Sequence, residues 1–281
     1  MDAAELADFP LNDGNRLPAV GFGTSSLRGK EAVSALHSAL EAGYRYLDSA
    51  VNYGNEAEVG EVVRTAGIPR EDIQVATKVP GRDHAKERAI RSVEDSLRTT
   101  GLDYLDVVLI HWPNPSQGLY VQAWEALVEV RERDLARTIG VSNFTTEHLD
   151  AVIDATGVTP SLNQIELHPY FTQEQMRAVH TDRGILTQSW SPLGKGTVSF
   201  EEPAIAGAAE RHGVTPAQVL LRWHLQLGAM PLPKSASPER QVTNLDLTGF
   251  VLTDDEVAAI GALTRPDGRR FGGDPNTHEE M

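Results

Sequence analysis

Residues 43–60 read GYRYLDSAVNYGNEAEVG. The stretch begins as a strand, YRYLD, which ends on the acid Asp48, passes through a loop that carries Tyr53, and finishes as the start of a helix. The same strand, loop and helix order recurs along the chain. Strand candidates are VGFGT (20–24), YRYLD (44–48), IQVATK (73–78), DVVLIH (106–111), RTIGVS (137–142), SLNQIE (161–166), ILTQSW (185–190) and AMPLPK (229–234). Between them, apolar residues fall at helical spacing: Val33, Leu36 and Leu40; Ile90, Val93 and Leu97; Leu149, Val152 and Ile153. Thr215-Pro216 with Gln218, and Thr253 with Glu256, read as N-caps with capping-box partners. Eight such βα units predict a closed parallel (β/α)8 TIM barrel, with an open doubly wound sheet as the alternative; two prolines weaken the eighth strand. Asp13-Gly14 between extended runs predicts an N-terminal hairpin closing the barrel floor. No linker or composition shift interrupts the pattern, so one domain over residues 1–281 is expected, ending in a polar tail at 266–281.

Composition narrows the function classes. The 281 residues are 40% hydrophobic, enough for a full core. Lys plus Arg number 25 against 40 Asp plus Glu, and the net charge of -15 repels phosphate backbones and anionic lipid, so neither nucleic acid nor a membrane is an expected partner. The absence of cysteine excludes disulfides, thiolate metal sites and a cysteine nucleophile. Asp2, Glu5 and Asp8 stand where a signal peptide needs a basic start and an apolar core, and the longest apolar runs fall far short of the ~20 residues of a membrane helix. A soluble, cytoplasmic monomer acting on a small molecule is expected.

Active sites of such barrels lie at the carboxyl ends of the strands. Here those ends carry Asp48, Lys78, His111, Ser142 with Asn143, Gln164 with Glu166, Trp190, and Lys234 with Ser235. Singly, each has an ordinary role: Asp48 a cap, Lys78 a solvated charge, His111 a satisfied core histidine, Trp190 core. Together they suggest chemistry. A phenol has a pKa near ~10 and needs a neighbouring ammonium to favour its anion. Lys78 beside Tyr53, steadied by Asp48, supplies one; His111 can steer a carbonyl oxygen, and Trp190 offers a flat surface. An acid, a polarising donor and an aromatic face suit carbonyl reduction by hydride from a nicotinamide.

At these residues the sequence resembles the aldo-keto reductases, from about residue 10 to about residue 265. GYRYLDSAVNYGNEAEVG, TIGVSNF (138–144) and LPKSASPERQVTN (232–244) carry the likeness, with TKV (77–79), LIHWP (109–113) and SWSPLG (189–194). Within the family it is most similar to the small bacterial 2,5-diketo-D-gluconate reductase type. The resemblance implies a catalytic tetrad of Asp48, Tyr53, Lys78 and His111 with Tyr53 as the acid, and NADPH/NADP+ as cofactor. It assigns Ser142, Asn143 and Gln164 to the carboxamide and Trp190 to the nicotinamide face. It further assigns the run from Ser191 through Leu193 to Gly194 to the pyrophosphate, Lys234, Ser235 and Arg240 to the 2′-phosphate, and Asn244 to the adenine, with Gly23 and Thr24 also at the cofactor. Two positions depart from the pattern. Tyr46 stands where a histidine is common and affects packing only; Ser237 stands where the diketogluconate reductases carry an arginine near the adenosine phosphate.

Other signals are set aside. Gly21-Phe22-Gly23 lacks the third glycine of a dinucleotide fingerprint. Glu166, His168 and His111 lack an HxH or HExxH element, so no metal is expected. Asn143-Phe144-Thr145 matches a glycosylation acceptor without a secretion signal. The expected activity is NADPH-dependent reduction of small aldehydes or ketones, among them α-diketones and keto sugars such as 2,5-diketo-D-gluconate. Phe22, Ala50, Tyr53, His111, Trp112 and Trp190 are expected to wall the pocket. The alternatives are a non-catalytic nicotinamide-binding regulator on the same barrel and a metal-dependent hydrolase. The Gly/Pro-rich tail reads as a mobile end, although Phe271 offers a group that could cover the pocket.

Overall fold

Strands β1 (Phe9–Pro10) and β2 (Arg16–Leu17) pair antiparallel around Asp13-Gly14, where Gly14 takes φ +89°, a conformation that glycine adopts without strain. The computed structural model describes residues 6–281, so Asp2 and Glu5 lie outside the described residues. The hairpin closes the barrel floor as expected. Gln74 Nε2 donates to Arg16 O (2.8 Å), Asn15 Nδ2 to Thr138 Oγ1 (3.0 Å) and Asn12 Nδ2 to Pro160 O (3.1 Å), all at the amino ends of barrel strands.

Eight parallel strands follow in chain order around the barrel: β3 (Phe22–Gly23), β4 (Tyr46–Asp48), β5 (Gln74–Val79), β6 (Leu105–Ile110), β7 (Ala136–Ser142), β8 (Leu162–Glu166), β9 (Leu186–Trp190) and β10 (Ala229–Pro231). All eight fall on the expected segments with boundaries shifted by a few residues. The eighth is shortened because Pro231 and Pro233 have no N–H to give a ladder. Their carbonyls serve instead: Gly21 N donates to Pro231 O (3.1 Å) and Gly23 N to Pro233 O (3.0 Å), and these two bonds close the first strand onto the last. Prolines are tolerated at this seam because the strand is asked only to accept.

The helices α1 (Gly29–Ala42), α2 (Glu56–Thr65), α3 (Lys86–Thr100), α4 (Tyr120–Glu132), α5 (Thr146–Thr156), α6 (Glu174–Asp182), α7 (Pro203–His212), α8 (Pro216–Gln226), α9 (Pro238–Leu245) and α10 (Asp254–Gly261) form the outer layer. None of them is long and apolar enough to cross a membrane. Two apolar layers result. Leu36, Leu40, Val93, Leu149 and Val152 pack under the helices against strand residues such as Val75, Val108 and Ile139. Tyr46, Ala76, Val107, Leu109, Leu162, Met230 and Leu232 fill the barrel with Leu11 and Leu17 of the hairpin beneath them. Tyr46 is wholly buried there, the packing role expected of it.

Both expected capping boxes are present, at Thr215/Gln218 and Thr253/Glu256; a third, Thr145/His148, starts α5 with an imidazole in place of the usual Glu or Gln. Glu256 also accepts from Arg211 Nε (2.8 Å) and His212 Nε2 (2.9 Å). Burial pushes its carboxyl up, but these partners and the Thr253 N–H prevail and hold it down at about 2. Because the folded value lies below the ordinary one, the stabilisation is present above the usual carboxylate range and is lost as pH falls toward about 2. Glu256→Gln should therefore cost about 1–2 kcal/mol at neutral pH, the scale of a lost cap with charged partners. In urea unfolding, the gap from wild type should close as pH is lowered through the acid range.

Candidate active site

The parallel sheet brings all eight strand ends to one rim, and the polar end residues meet there. Asp48 closes β4, Lys78 is the penultimate residue of β5, His111 follows β6, Ser142 closes β7, Gln164 lies in β8 and Trp190 closes β9. Lys78 is fully buried, with Nζ 2.9 Å from each Asp48 carboxylate oxygen, 2.7 Å from Ser49 O and 3.5 Å from Tyr53 Oη. Gln164 Nε2 is a second donor to Asp48, at 2.8 Å. Tyr53 is delivered by a single 3-10 turn, Val51–Tyr53, which Gly54 ends in the left-handed region. Its ring lies edge-on to His111 at 5.7 Å, and the Lys78 ammonium sits 4.8 Å from its centroid.

Electrostatics follow from this burial. Desolvation raises the Tyr53 phenol and Lys78 opposes it; the result stays above the ordinary tyrosine value. Desolvation alone would lower Lys78, but Asp48 and Tyr53 more than restore it, so the ammonium is retained. Burial lowers His111, against which Glu280 pulls upward.

Asn143 adopts a left-handed backbone (φ +62°) that turns its amide into the rim. Its Nδ2 donates to His111 O (3.0 Å), and its Oδ1 accepts from Trp190 Nε1 (2.8 Å). Ser142 Oγ donates to Gln164 O at 2.8 Å. A cavity of about 430 Å³ opens above these groups, lined by Gly23, Asp48, Tyr53, His111, Trp112, Ser142, Asn143, Gln164 and Trp190, and running outward past Ser191, Leu193 and Lys234. The expected tetrad is thus assembled in one place.

Four expectations need correction. Phe22 is fully buried against Tyr44 (5.2 Å, edge-on) in the layer beneath the helices, because its side chain leaves the strand on the outer face. Ala50 is likewise sealed, in extended backbone ahead of the 3-10 turn, and does not line the cavity. The Thr24 side chain is committed to Asp48 O (2.8 Å) and is inaccessible to a ligand. The tail is docked across the rim: Phe271 stands 5.5 Å from Trp190 and lines the cavity, Arg270 N donates to Glu166 (2.8 Å), and His278 packs on Trp112 at 4.2 Å.

The outer segment is only partly on the cavity. Gly194, left-handed at φ +69°, supports the loop from behind. Ser235 Oγ accepts from Ser237 N (3.1 Å) and Ser237 Oγ from Arg240 N (3.4 Å), so both serines organise the start of α9 and leave Arg240 exposed. Asn244, one turn on, is buried beside Tyr44. Sequence reading missed Ser25, Ser26, Lys195, Leu232 and Pro233 on the cavity wall and Glu280 behind His111. Lys195 had a signal: it sits between Gly194 and Gly196, where a tight loop must turn. Glu166 and His168 pair with each other at 2.9 Å, and the described residues contain no group of three or more metal-capable side chains.

The residues present suit an anionic dinucleotide. Lys195 and Lys234 flank the cavity's outer end in a chain of charge -15, and the half-buried Trp190 ring faces it. At Gly23 a Cβ would press on Leu232 O at 3.0 Å, so this part of the wall stays bare.

Comparison with known proteins agrees. The chain is 52% identical over 276 residues to 2,5-diketo-D-gluconic acid reductase B of Corynebacterium sp. (strain SHS752001), covering 98% of this chain and 99% of that protein. It is 44% identical over 267 residues to an aldo-keto reductase of Mycolicibacterium smegmatis, covering 95% and 96%. Among solved structures, a mutant of Gox0644 in complex with NADPH superposes with a TM-score of 0.93 at 42% identity, over 98% of this chain and 99% of that one. An aldo-keto reductase of Bombyx mori in complex with NADP gives 0.87 at 32% identity, over 95% of each chain. The model of the aldo/keto reductase family matches residues 19–265, and the chain belongs to that family.

Proposed function

We propose that the protein reduces small aldehydes and ketones with NADPH, with Tyr53 as general acid. The observation that carries this reading is the Tyr53 phenol held 3.5 Å from a buried Lys78 whose charge is fixed by Asp48, on a cavity that His111 and Trp190 share. NADPH, when bound, supplies hydride to the carbonyl carbon. Ser142, Asn143 and Gln164 would hold its carboxamide, Trp190 its ring face, Ser191 to Gly194 with Lys195 its pyrophosphate, and Lys234, Ser235 and Arg240 its 2′-phosphate. Tyr53 gives its proton to the substrate oxygen, and Lys78 stabilises the phenolate left behind. His111 orients the carbonyl. Trp112, Trp190 and Phe271 wall the substrate end and favour compact, partly apolar carbonyl compounds, α-diketones and keto sugars included. The relationship to 2,5-diketo-D-gluconic acid reductase B makes that keto sugar acid the first to try.

A scan of NADPH oxidation across aldehydes, α-diketones, keto acids and keto sugars tests the activity. Tyr53→Phe should lower kcat/KM by about 10²–10⁴-fold, the usual worth of a positioned acid, while NADPH affinity by fluorescence titration stays within about twofold. Near-normal turnover in that variant would remove Tyr53 from the mechanism.

Lys78→Met tests the pair beneath it. Removing one partner leaves the Asp48 charge buried, a cost of about 3–5 kcal/mol. It also withdraws the ammonium that restrains Tyr53, so the phenol rises further and reduction falls. Adding Asp48→Asn should recover most of the stability and none of the activity. Recovery of both would make the pair structural only.

Ser237→Arg adds a cation beside Lys234 and Arg240 but removes the α9 cap. NADPH should bind several-fold more tightly at low salt, NADH should be unchanged, and the gain should shrink with added salt. Stability should drop by about 0.5–2 kcal/mol. Equal tightening of both cofactors would place residue 237 away from the 2′-phosphate.

A further inference from the structure

The docked tail sets a carboxylate against the proposed carbonyl-orienting residue. Glu280 Oε1 lies 2.7 Å from His111 Nδ1, an ion-pair contact whose angle falls short of an aligned hydrogen bond. Glu280 is not among the residues lining the cavity, so it stands behind the imidazole and leaves the substrate space clear. Its placement is built. Asn52 Nδ2 donates to the same Oε1 (2.6 Å) and to Met281 O (3.0 Å), Asn114 Nδ2 donates to Glu280 O (2.5 Å), and Ser116 N donates to Glu279 Oε1 (2.8 Å). Two glycines far apart in sequence make room for the strap. A Cβ at Gly81 would collide with Glu280 O and the Asn114 amide, and one at Gly273 with the Trp112 ring.

We infer that Glu280 is a positioning residue for His111, and that the pair polarises a carbonyl only while it holds a second proton, so that Nε2 as well as Nδ1 lies next to a hydrogen. The inference rests on the reading above that His111 meets the substrate oxygen. A neutral imidazole has a single N–H. With a carboxylate at Nδ1 that hydrogen is drawn to Nδ1, and Nε2 is left with a lone pair that repels a carbonyl oxygen. One further proton gives either imidazolium with carboxylate, or an Nε2–H imidazole with the Glu280 acid. These are two forms of the same protonated pair, and both put a donor on Nε2. No electron or bond changes hands beyond this proton.

The groups facing the pair are consistent with a titration of its own. Asp48 and Lys78 face His111 from β4 and β5 as a neutralised ion pair, and the Tyr53 phenol, held above its ordinary range, stands edge-on. Behind Glu280 lie Glu279 and the buried His84, whose ring nitrogens have no hydrogen-bond partner among the described residues and whose pKa is lowered to about 4, so that it is neutral at physiological pH. Among the described residues, Glu280 is thus the one ionised group in direct contact with the His111 ring.

Glu280→Gln separates this role from packing. Glutamine has nearly the same shape and does not titrate; with both proteins compared in an Asn52→Ala background, where no second amide N–H competes for the position facing Nδ1, it can donate its own N–H there and fix the hydrogen on Nε2. In wild type, kcat/KM for reduction should fall about tenfold per pH unit above the pair's transition; in Glu280→Gln that fall should vanish. Glu280→Asp, which keeps the charge, should restore the pH-dependent limb. ¹⁵N NMR of labelled histidine in the cofactor-free protein, with the His111 signal assigned by its loss in His111→Gln, should show the Nδ1–H tautomer above the transition in wild type and Nε2–H in Glu280→Gln. The same tautomer in both proteins, an unchanged pH profile, or a wild type holding Nδ1–H at the pH where reduction is fastest would overturn the inference. The NMR arm needs no turnover. A tautomer switch in a protein that reduces no carbonyl would remove the proposed activity and with it the carbonyl-polarising role, leaving only the pairing.

Discussion

The buried contact between Lys78 and Asp48 is the constraint around which the rim is arranged. An ammonium and a carboxylate taken out of water each cost several kcal/mol, and their attraction offsets this only when the remaining hydrogen-bonding capacity is used. Lys78 has three N–H groups and four acceptors within reach: two Asp48 oxygens, Ser49 O and, farthest at 3.5 Å, Tyr53 Oη. The phenol is therefore the weakest claimant in this state. Lys78 acts on it mainly as a nearby charge, which is why burial still prevails and the phenol stays above its ordinary range. A phenolate is a far better acceptor than a phenol. The arrangement thus gains most where negative charge develops on Tyr53, which is what its proposed role as the acid requires.

Holding that pair also fixes the barrel seam. Thr24 N and Oγ1 both bond Asp48 O, tying β3 to β4 at the level of the carboxylate. Asn55, wholly buried, donates to Thr24 O, Thr24 Oγ1 and Leu27 O and accepts from Ser49 Oγ, so the loop that presents Tyr53 is anchored to the same strand ends. On the other side β3 meets β10 through the Pro231 and Pro233 carbonyls. The closure of the sheet and the placement of Tyr53 are one network.

This explains which features were legible in the sequence. Strands and helices announced themselves because burial on a parallel barrel imposes long-range order on local pattern: apolar runs ending on polar residues, then helical spacing. The gathering of Asp48, Tyr53, Lys78 and His111 at one rim was legible for the same reason, since each sits at a strand end or one turn beyond. Phe22 and Ala50 were misplaced because sequence proximity to the rim does not say which side of the strand a side chain leaves. The tail was misread because its order comes from elsewhere. Phe271 and His278 have no periodic apolar neighbours, and the surfaces that receive them are Trp190 and Trp112, with Gly81 and Asn114 seating Glu280. A docking built from single contacts to distant residues leaves no local signature. Thr145/His148 was missed more simply, because an imidazole replaces the carboxylate or amide a capping box usually shows.

The distribution of charge along the cleft orders a ligand by itself. Against a chain of -15, the outer end gathers Lys195 and Lys234 on the cavity with Arg240 exposed just beyond, while the inner end holds the carboxylates of Asp48 and Glu280 and a single buried ammonium. A molecule that is anionic at one end and neutral at the other meets a favourable potential only with its anionic end outward. The inner end is meanwhile walled by Trp112, Trp190 and Phe271, whose apolar rings lower the local polarity and strengthen the remaining dipoles there. Orientation and polarisation thus come from opposite ends of one cavity. The tail contributes to the inner end twice, through the Phe271 ring on the wall and through the Glu280 carboxylate behind His111, so its docking is part of the site.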